Sequence, residues 1–245
     1  VTIPSEGIAC VHNLMLGAFS LINSGVDSVV NGQREPRYTP YHIRHRTEVA
    51  GFMTILHGDD RIYNNIFIQA YPVTDKEKNP TDAEYQVVGT APFDIFPTYD
   101  EWLKPFLPGD KPDMGGLAEA HFGHLPVWVD GNAYFGGATV CKHEQHKLSD
   151  KRSKIKAELA EKDGHWYLKT NVYSHLKDFK TGIHCSETLG KAFEPEQRFE
   201  NPDGTDIIFN EDYFGGHRGA ETIPGPFASA EDAEKVARRV GGEVV

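Results

Sequence analysis

The sequence predicts a mainly β protein, on three observations. Gly and Pro are frequent, at 24 and 15 of 245 residues. Stretches with a long helical apolar period are few, which favours strands joined by many turns. A short unit also recurs: Val11-His12-Asn13-Leu14-Met15-Leu16-Gly17-Ala18, Tyr63-Asn64-Asn65-Ile66-Phe67-Ile68-Gln69-Ala70, and Asp130-Gly131-Asn132-Ala133-Tyr134-Phe135-Gly136-Gly137-Ala138. Each copy places an asparagine just before a short apolar strand that closes in small residues. Such a unit suits one rung of a right-handed parallel β-helix. Asparagine tolerates the left-handed backbone of a tight corner and can hydrogen-bond to a stacked copy of itself, while the apolar residues after it fill the column. Three unrelated strands, each following a turn asparagine, give the same pattern.

The elements follow in order. Residues 1–140 are expected to form β-helix coils, interrupted by a long loop insertion at about 71–124 that carries Pro72, Pro80, Pro92, Pro97, Pro105, Pro108 and Pro112. A structureless loop of ~20 residues or more in a compact domain usually serves a function or belongs to a lid. Inside it, Thr98 with Glu101 three residues on predicts a capped short helix, which Pro105 limits. After Cys141 the character changes. Ile155–Leu159 and Trp166–Thr170 alternate on either side of Asp163-Gly164, a hairpin signal. Ile207-Ile208-Phe209 reads as a strand after the Pro202-Asp203-Gly204 turn. Ser229 to Asp232 resembles a helix cap, with Ala233, Val236, Ala237 and Val240 on one stripe and Gly241 as the stop. Residues 141–245 are therefore expected to form a small β-rich appendage that packs on the coils and ends in a terminal helix.

Composition narrows the function. Thirty-six acidic against 25 basic residues give a formal charge of -11, which argues against nucleic acid as a partner, since phosphates need a basic face. No apolar stretch approaches the ~18 residues that span a bilayer. Cys10, Cys141 and Cys185 form no disulfide framework and lean towards a cytoplasmic setting. The opening Val1-Thr2-Ile3-Pro4-Ser5-Glu6 reads as the middle of a longer protein.

The densest polar run is Tyr38-Thr39-Pro40-Tyr41-His42-Ile43-Arg44-His45-Arg46-Thr47-Glu48, followed by His57-Gly58-Asp59-Asp60-Arg61. A metal site would use His42, His45 and Glu48. Their three-residue spacing shares a face only on a helix, and Pro40 and the β-rich surroundings disfavour one. His121/His124 and His143/His146 have the same spacing, and twelve histidines in one chain produce such pairs by chance. Sugar binding is the second reading: His, Tyr, Arg and carboxylates on loops beside a β column suit ligand hydroxyls. Asp59 and Asp60 are adjacent, so on a strand they face opposite ways, whereas a retaining glycosidase pair needs ~5–5.5 Å across one bond. A corner ion pair with Arg61, or capping of backbone N–H groups, is preferred for them. Arg46 and Glu48 read as a solvated pair. No glycine-rich phosphate loop, serine elbow or Cys-x-x-Cys is present, and the pattern calls for no cofactor and no metal.

The run Tyr38-Thr39-Pro40-Tyr41-His42-x-x-His45-x-Thr47-Glu48-Val49-Ala50-Gly51, with Gly58-Asp59-Asp60-Arg61-x-Tyr63-Asn64-Asn65-Ile66-Phe67, resembles the glycoside hydrolase family 120 β-xylosidases. So do Pro126–Ala138, Phe199–Gly204, Asp212–Gly215 and Gly225–Phe227. The resemblance implies a right-handed parallel β-helix with an inserted immunoglobulin-like sandwich. It also implies retaining exo-hydrolysis of xylo-oligosaccharides by an Asp nucleophile and a Glu acid/base on neighbouring coils. In the family pattern both carboxylates, a further sugar-pocket Glu and the sandwich precede the stretch matching Val11–Ala18. The chain is therefore expected to be the C-terminal part of such an enzyme, acting with an N-terminal partner chain that supplies the catalytic acids. No residue here is assigned as nucleophile or acid. His42, His45 and Glu48 are the first substrate-binding candidates, and Asp59 and Asp60 the second. The alternatives are a non-catalytic carbohydrate-binding or assembly module, and a polysaccharide lyase. The lyase would ask for a Lys or Arg base and often calcium, for which no organised acidic site is visible.

Overall fold

A computed structural model describes residues 1–3, 5–21, 29–34, 37–74, 86–107, 109, 114–176, 178–229 and 238–239. The protein is mainly β. Its strands are β1 (Ala9–Val11), β2 (Leu14–Met15), β3 (Val29–Val30), β4 (Gln33–Arg34), β5 (Tyr38–His42), β6 (Val49–Thr54), β7 (Asp60–Tyr63), β8 (Ile66–Ile68), β9 (Val127–Asp130), β10 (Asn132–Phe135), β11 (Lys147–Asp150), β12 (Ala157–Lys162), β13 (His165–Thr170), β14 (Thr181–Gly182), β15 (Glu221–Thr222) and β16 (Arg238–Arg239). Short helices are α1 (Tyr99–Leu103), α2 (Met114–His121) and α3 (Ser186–Leu189).

The recurring unit forms three stacked tiers, each a strand, a corner and a second strand. First strands pair in parallel in the order β1-β7-β9, and second strands in the order β2-β8-β10-β11. Register holds across the corners: Cys10, Ile62 and Val129 align, as do Met15, Phe67 and Tyr134. Those residues point into the column, where Phe67 stacks on Tyr134 at 5.2 Å and 12°. Ile62, Phe67, Phe93, Val127, Val129 and Tyr134 belong to one core. A further parallel bridge joins Gly89, inside the long insertion, to Thr139, so part of the insertion itself lies on the stack.

The corners are built by a directional asparagine ladder. Asn13 donates its backbone N–H (2.9 Å) and Nδ2 (3.0 Å) to Asn65 Oδ1. Asn65 does the same to Asn132 Oδ1 at 2.8 and 3.0 Å. Asn132 donates both groups, each at 2.9 Å, to Glu144 Oε1, which ends the ladder. The left-handed residue at each corner is not the ladder asparagine but the one before it: His12 (φ 58°), Asn64 (φ 55°) and Gly131 (φ 72°). At Gly131 only glycine fits, because a Cβ would lie 2.3 Å from Asn64 Oδ1. Glu144 is fully buried, with Oε2 receiving the Tyr134 hydroxyl, which also meets Thr90 Oγ1 at 2.7 Å.

The outer face of the second sheet is covered by the appendage. Ile66 and Ile68 of β8 and Ala133 and Phe135 of β10 pack against Val172, Tyr173, Leu176, Ile223 and Phe227. Burial on both faces explains why β8 and β10 read as continuous apolar runs rather than as alternating ones. The stacking continues past residue 140, since β11 pairs along all of β10 and ends at Asp150, which caps the Arg152 and Ser153 N–H groups at 2.9 Å.

Local signals produce local structure. β12 and β13 pair in register from Ala157–Thr170 to Lys162–His165 around Asp163 (φ 53°) and Gly164 (φ 74°). Thr98 and Glu101 form the capping box of α1, and a 3-10 turn containing Pro105 follows it. The long insertion is therefore partly helical, and α2 was not foreseen. Residues 75–85 of it lie outside the described residues. Ile207-Ile208-Phe209 contributes an isolated bridge from Ile208 to Cys185, not a strand. Most of the expected terminal helix, residues 230–237 and 240–245, also lies outside the described residues. Arg238 and Arg239, placed in that helix by their sequence neighbours, instead form β16 on the open edge of β13. An unpaired strand edge offers backbone partners that a local helical preference does not outweigh.

Burial pushes the Glu144 carboxyl up to about 7, against its hydrogen bonds from Tyr134 and Asn132. The folded chain then holds a proton that the unfolded chain releases near 4.5. Its contribution to stability therefore falls as pH rises from about 4.5 to about 7 and is lost above. Burial raises Glu6 and Asp60 in the same sense and lowers His12 to about 3, which adds the opposite slope below 6.5. Thermal melts beside Glu144→Gln, whose amide oxygen still accepts from Asn132, isolate the effect: the wild type is expected to lose stability relative to the variant across this range. Glu144→Ala strands two buried donors of Asn132 and is expected to cost about 2–3 kcal/mol.

Candidate functional site

The polar run from Tyr38 to Glu48 forms the β5–β6 hairpin, antiparallel from Tyr38–Thr54 to His42–Val49 with an irregularity between Tyr41 and His42. Gly51 stands opposite Tyr41 and leaves room for its ring, since a Cβ there would lie 2.6 Å from the Tyr41 hydroxyl. His42, His45 and Glu48 sit at the exposed tip and do not converge on a point. His42 Nδ1 turns back to Thr47 O at 2.9 Å. His45, in a left-handed conformation (φ 57°), meets Glu200 Oε1 at 2.7 Å. Glu48 faces Arg46 at 4.0 Å across open solvent. Arg44 donates to the other Glu200 oxygen at 3.0 Å, and Gln197 Nε2 donates to His42 O at 2.6 Å. The hairpin tip is thus moored to the segment around residues 197–200 of the appendage. The His45 and Arg44 contacts hold the Glu200 carboxyl below its ordinary range, the His45 hydrogen bond contributing most.

Asp59, Asp60 and Arg61 occupy the other side of that segment, and all three are buried. The Asp59 backbone is left-handed (φ 57°), which turns its side chain back towards Arg61. Arg61 Nη1 donates to Asp59 Oδ1 at 2.5 Å and to the Asp59 carbonyl. Its Nε and Nη2 donate to Leu189 O (2.9 Å) and Lys191 O (3.0 Å). The guanidinium lies over Trp128 at 4.4 Å and Phe199 at 4.9 Å. Asp59 Oδ2 accepts the Phe193 N–H at 2.9 Å, and Asp60 Oδ1 accepts the Ile8 N–H at 3.1 Å. These are a corner ion pair and two backbone caps. Burial raises the Asp59 carboxyl while Arg61 and the Phe193 N–H pull it down. Burial pushes Asp60 up to about 8.

Between α1, β9 and residues 188–194 runs an aromatic groove that the sequence did not disclose. One part, about 320 Å3, has Tyr99, Trp102, Trp128 and Phe193 among its walls with Asp59 and Arg61. A second part, about 120 Å3, is lined by Glu6, Phe52, Thr54, His121 and Glu194, and shares Trp102 and Phe193 with the first. Those two rings meet edge to face at 5.2 Å and divide the groove. Glu6 Oε1 accepts the N–H groups of Leu56 and His57, the latter at 2.8 Å, and burial pushes its carboxyl up to about 7. Aromatic faces beside carboxyl groups suit a ring-shaped polyhydroxylated ligand, which stacks on the first and hydrogen-bonds to the second.

Two of the other paired histidines, His124 and His143, serve the fold. His124 Nδ1 lies 2.7 Å from Leu56 O and His143 Nε2 lies 3.0 Å from Phe96 O. Among the described residues no group of three or more His, Cys, Asp and Glu side chains is placed to hold a metal ion, and no helix is long and apolar enough to cross a membrane. Glu200, Glu144, Glu6 and Trp102 escaped the sequence reading. Glu200 lies within the Phe199–Gly204 run and Trp102 within the capped helix after Thr98, whereas Glu144 and Glu6 carry no local signal.

No protein-family model and no curated protein matches the chain. Among solved structures it is similar to one described as the complex structure of XylC with xylose, with a TM-score of 0.72 and 28% sequence identity. The match covers 93% of this chain and 32% of that one, so this chain spans well under two thirds of its length.

Arg61→Ala leaves Asp59 buried without its partner and frees the carbonyls of Asp59, Leu189 and Lys191, an expected loss of about 3–5 kcal/mol in urea unfolding. Glu48→Ala removes only a solvated pair and is expected to change stability by less than about 0.5 kcal/mol in the same measurement.

Proposed function

We propose that the chain is the C-terminal part of a retaining, exo-acting β-xylosidase of glycoside hydrolase family 120. In this reading the three tiers are the last coils of a right-handed parallel β-helix. The catalytic Asp and Glu lie on a separate N-terminal chain of the same enzyme, and xylo-oligosaccharides are the substrate. The observation that carries it is the likeness to the XylC–xylose complex, which takes in nearly all of this chain but only 32% of that one.

The chain's part in the reaction is positioning. In a retaining mechanism a carboxylate attacks the anomeric carbon, a carboxylic acid protonates the leaving oxygen, and water then releases the sugar. The hairpin tip would set His42, His45 and Glu48 against sugar hydroxyls, with Glu200 fixing the His45 ring. Asp59 and Asp60 act one step back, holding the strand entry and the 189–193 segment. A second reading is favoured by Glu6, a carboxyl raised to about 7 that shares the smaller groove with Glu194, Trp102 and Phe193. It makes this chain a glycosidase by itself, with Glu6 as the acid.

The test is an aryl β-xyloside assay on the chain alone and on its complex with the N-terminal chain, with native mass spectrometry beside it. Turnover by the complex alone is the expected result. Turnover by the chain alone that is lost in Glu6→Gln would establish the second reading. A complex that binds xylose without turnover would leave a carbohydrate-binding module. Within an active complex, His45→Ala is expected to raise KM about five- to tenfold with kcat little changed, as for a contact made equally in ground and transition states.

A further inference from the structure

We infer that the groove between β2 and the β12–β13 hairpin seats one more strand–corner–strand tier with an amide side chain at its corner. Its source is the N-terminal chain of the proposed enzyme, and in naming that source the inference rests on the functional reading above.

The ladder is polar, and its polarity leaves one end open. Each ladder asparagine gives two donors to the tier that follows, and Asn65 and Asn132 each take two from the tier before. Glu144 closes the far end by accepting both Asn132 donors on Oε1. At the near end Asn13 is exposed, spends its N–H and Nδ2 on Asn65 and Val11, and its Oδ1 accepts nothing from a described residue. Among the described strands β1 pairs only with β7 and β2 only with β8, so no described strand pairs with their other edges.

The appendage points to the same occupant. On the deeper tiers its apolar side chains are met by β8 and β10. Beside β2 they are not: a groove of about 710 Å3 remains, with Leu14 and Leu16 on one wall and Leu159, Trp166 and Tyr213 on the other. Leu159 is 63% exposed, Tyr213 55% and Trp166 46%. His12, at the corner, also lines the groove and has a buried Nδ1 without a hydrogen-bond partner among the described residues.

A further tier answers all of these at once. Its strands pair in parallel with β1 and β2, its outward apolar residues fill the groove, and its corner N–H and amide reach Asn13 Oδ1. A small apolar ligand would fill the groove and leave the strand edges unpaired. A second copy of this chain, brought edge to edge by a twofold axis, would oppose two Asn13 acceptors with no donor between them.

The experiment uses the complex of this chain with the N-terminal chain. A photo-crosslinking p-benzoylphenylalanine placed at position 159 is expected to label that chain's last strand–corner–strand unit, and the same probe at exposed Lys151, beyond β11, is not. Asn13→Ala is expected to weaken the complex about tenfold, as for loss of an amide acceptor of two hydrogen bonds. Leu159→Asp, on a side chain exposed in the isolated chain, should weaken it further while far-UV circular dichroism stays unchanged. Labelling of a second copy, absence of any complex, or a complex that forms without labelling from position 159 would each overturn the inference. An active complex that labels elsewhere would sink the docking surface and spare the xylosidase reading. An inactive complex labelled in the groove would do the reverse.

Discussion

The fold depends on the asparagine ladder. A buried amide must have its hydrogen bonds satisfied, and Asn65 and Asn132 find theirs in the equivalent residues of the adjoining tiers, in Glu144 at the end, and in the carbonyls of Cys10 and Ile62 on the first strands. Each bond fixes a corner, and each corner fixes the register of the strands on both sides of it. That register puts Ile62 and Phe67 inside the column and Ile66 and Ile68 outside it. A slip of one residue would exchange the two sets and leave the amides unpaired. The ladder also explains a glycine: the left-handed corner before Asn132 presses on Asn64, and Gly131 has no Cβ to collide.

Because the second sheet is apolar on both faces, it needs a cover, and the appendage provides one. The cover then organises the polar side of the molecule. Arg61 reaches outward from β7 and ties down the carbonyls of Leu189 and Lys191. A few residues further on, Glu200 grips the hairpin tip through Arg44 and His45. Arg218, itself buried, gathers the carbonyls of Glu211, Ile223 and Gly225 and shapes the last loop over Phe227. Arginine serves in both places because its planar fork can satisfy several carbonyls at once.

The tiers are the scaffold from which the excursions project. The hairpin, α1 and the 188–200 segment all leave or cover the same first sheet, and the aromatic groove lies where they meet. Loops held on a rigid stack present their side chains at fixed heights along it. The direction of the ladder adds a constraint on assembly, since it accepts further tiers from one side only.

The sequence by itself determined what rests on neighbours a few residues apart. The repeated Asn-plus-apolar unit, the Asp163-Gly164 hairpin and the Thr98–Glu101 capping box were legible because turn preference, alternation and capping are local. The structural contacts of Asp59 and Asp60 were half legible, since adjacency argued against a catalytic pair and Arg61 stood close by, whereas the left-handed turn of Asp59 ahead of the strand was not. Tertiary structure alone decided the rest. Glu144 ends the ladder only because the chain comes back beneath Asn132, and Glu200 finds His45 across 155 residues. Arg238 and Arg239 join an edge strand whose partner their own surroundings do not announce. The corner itself shows the division: an asparagine signals a turn, but which residue takes the left-handed conformation follows from what the stacked amide must reach.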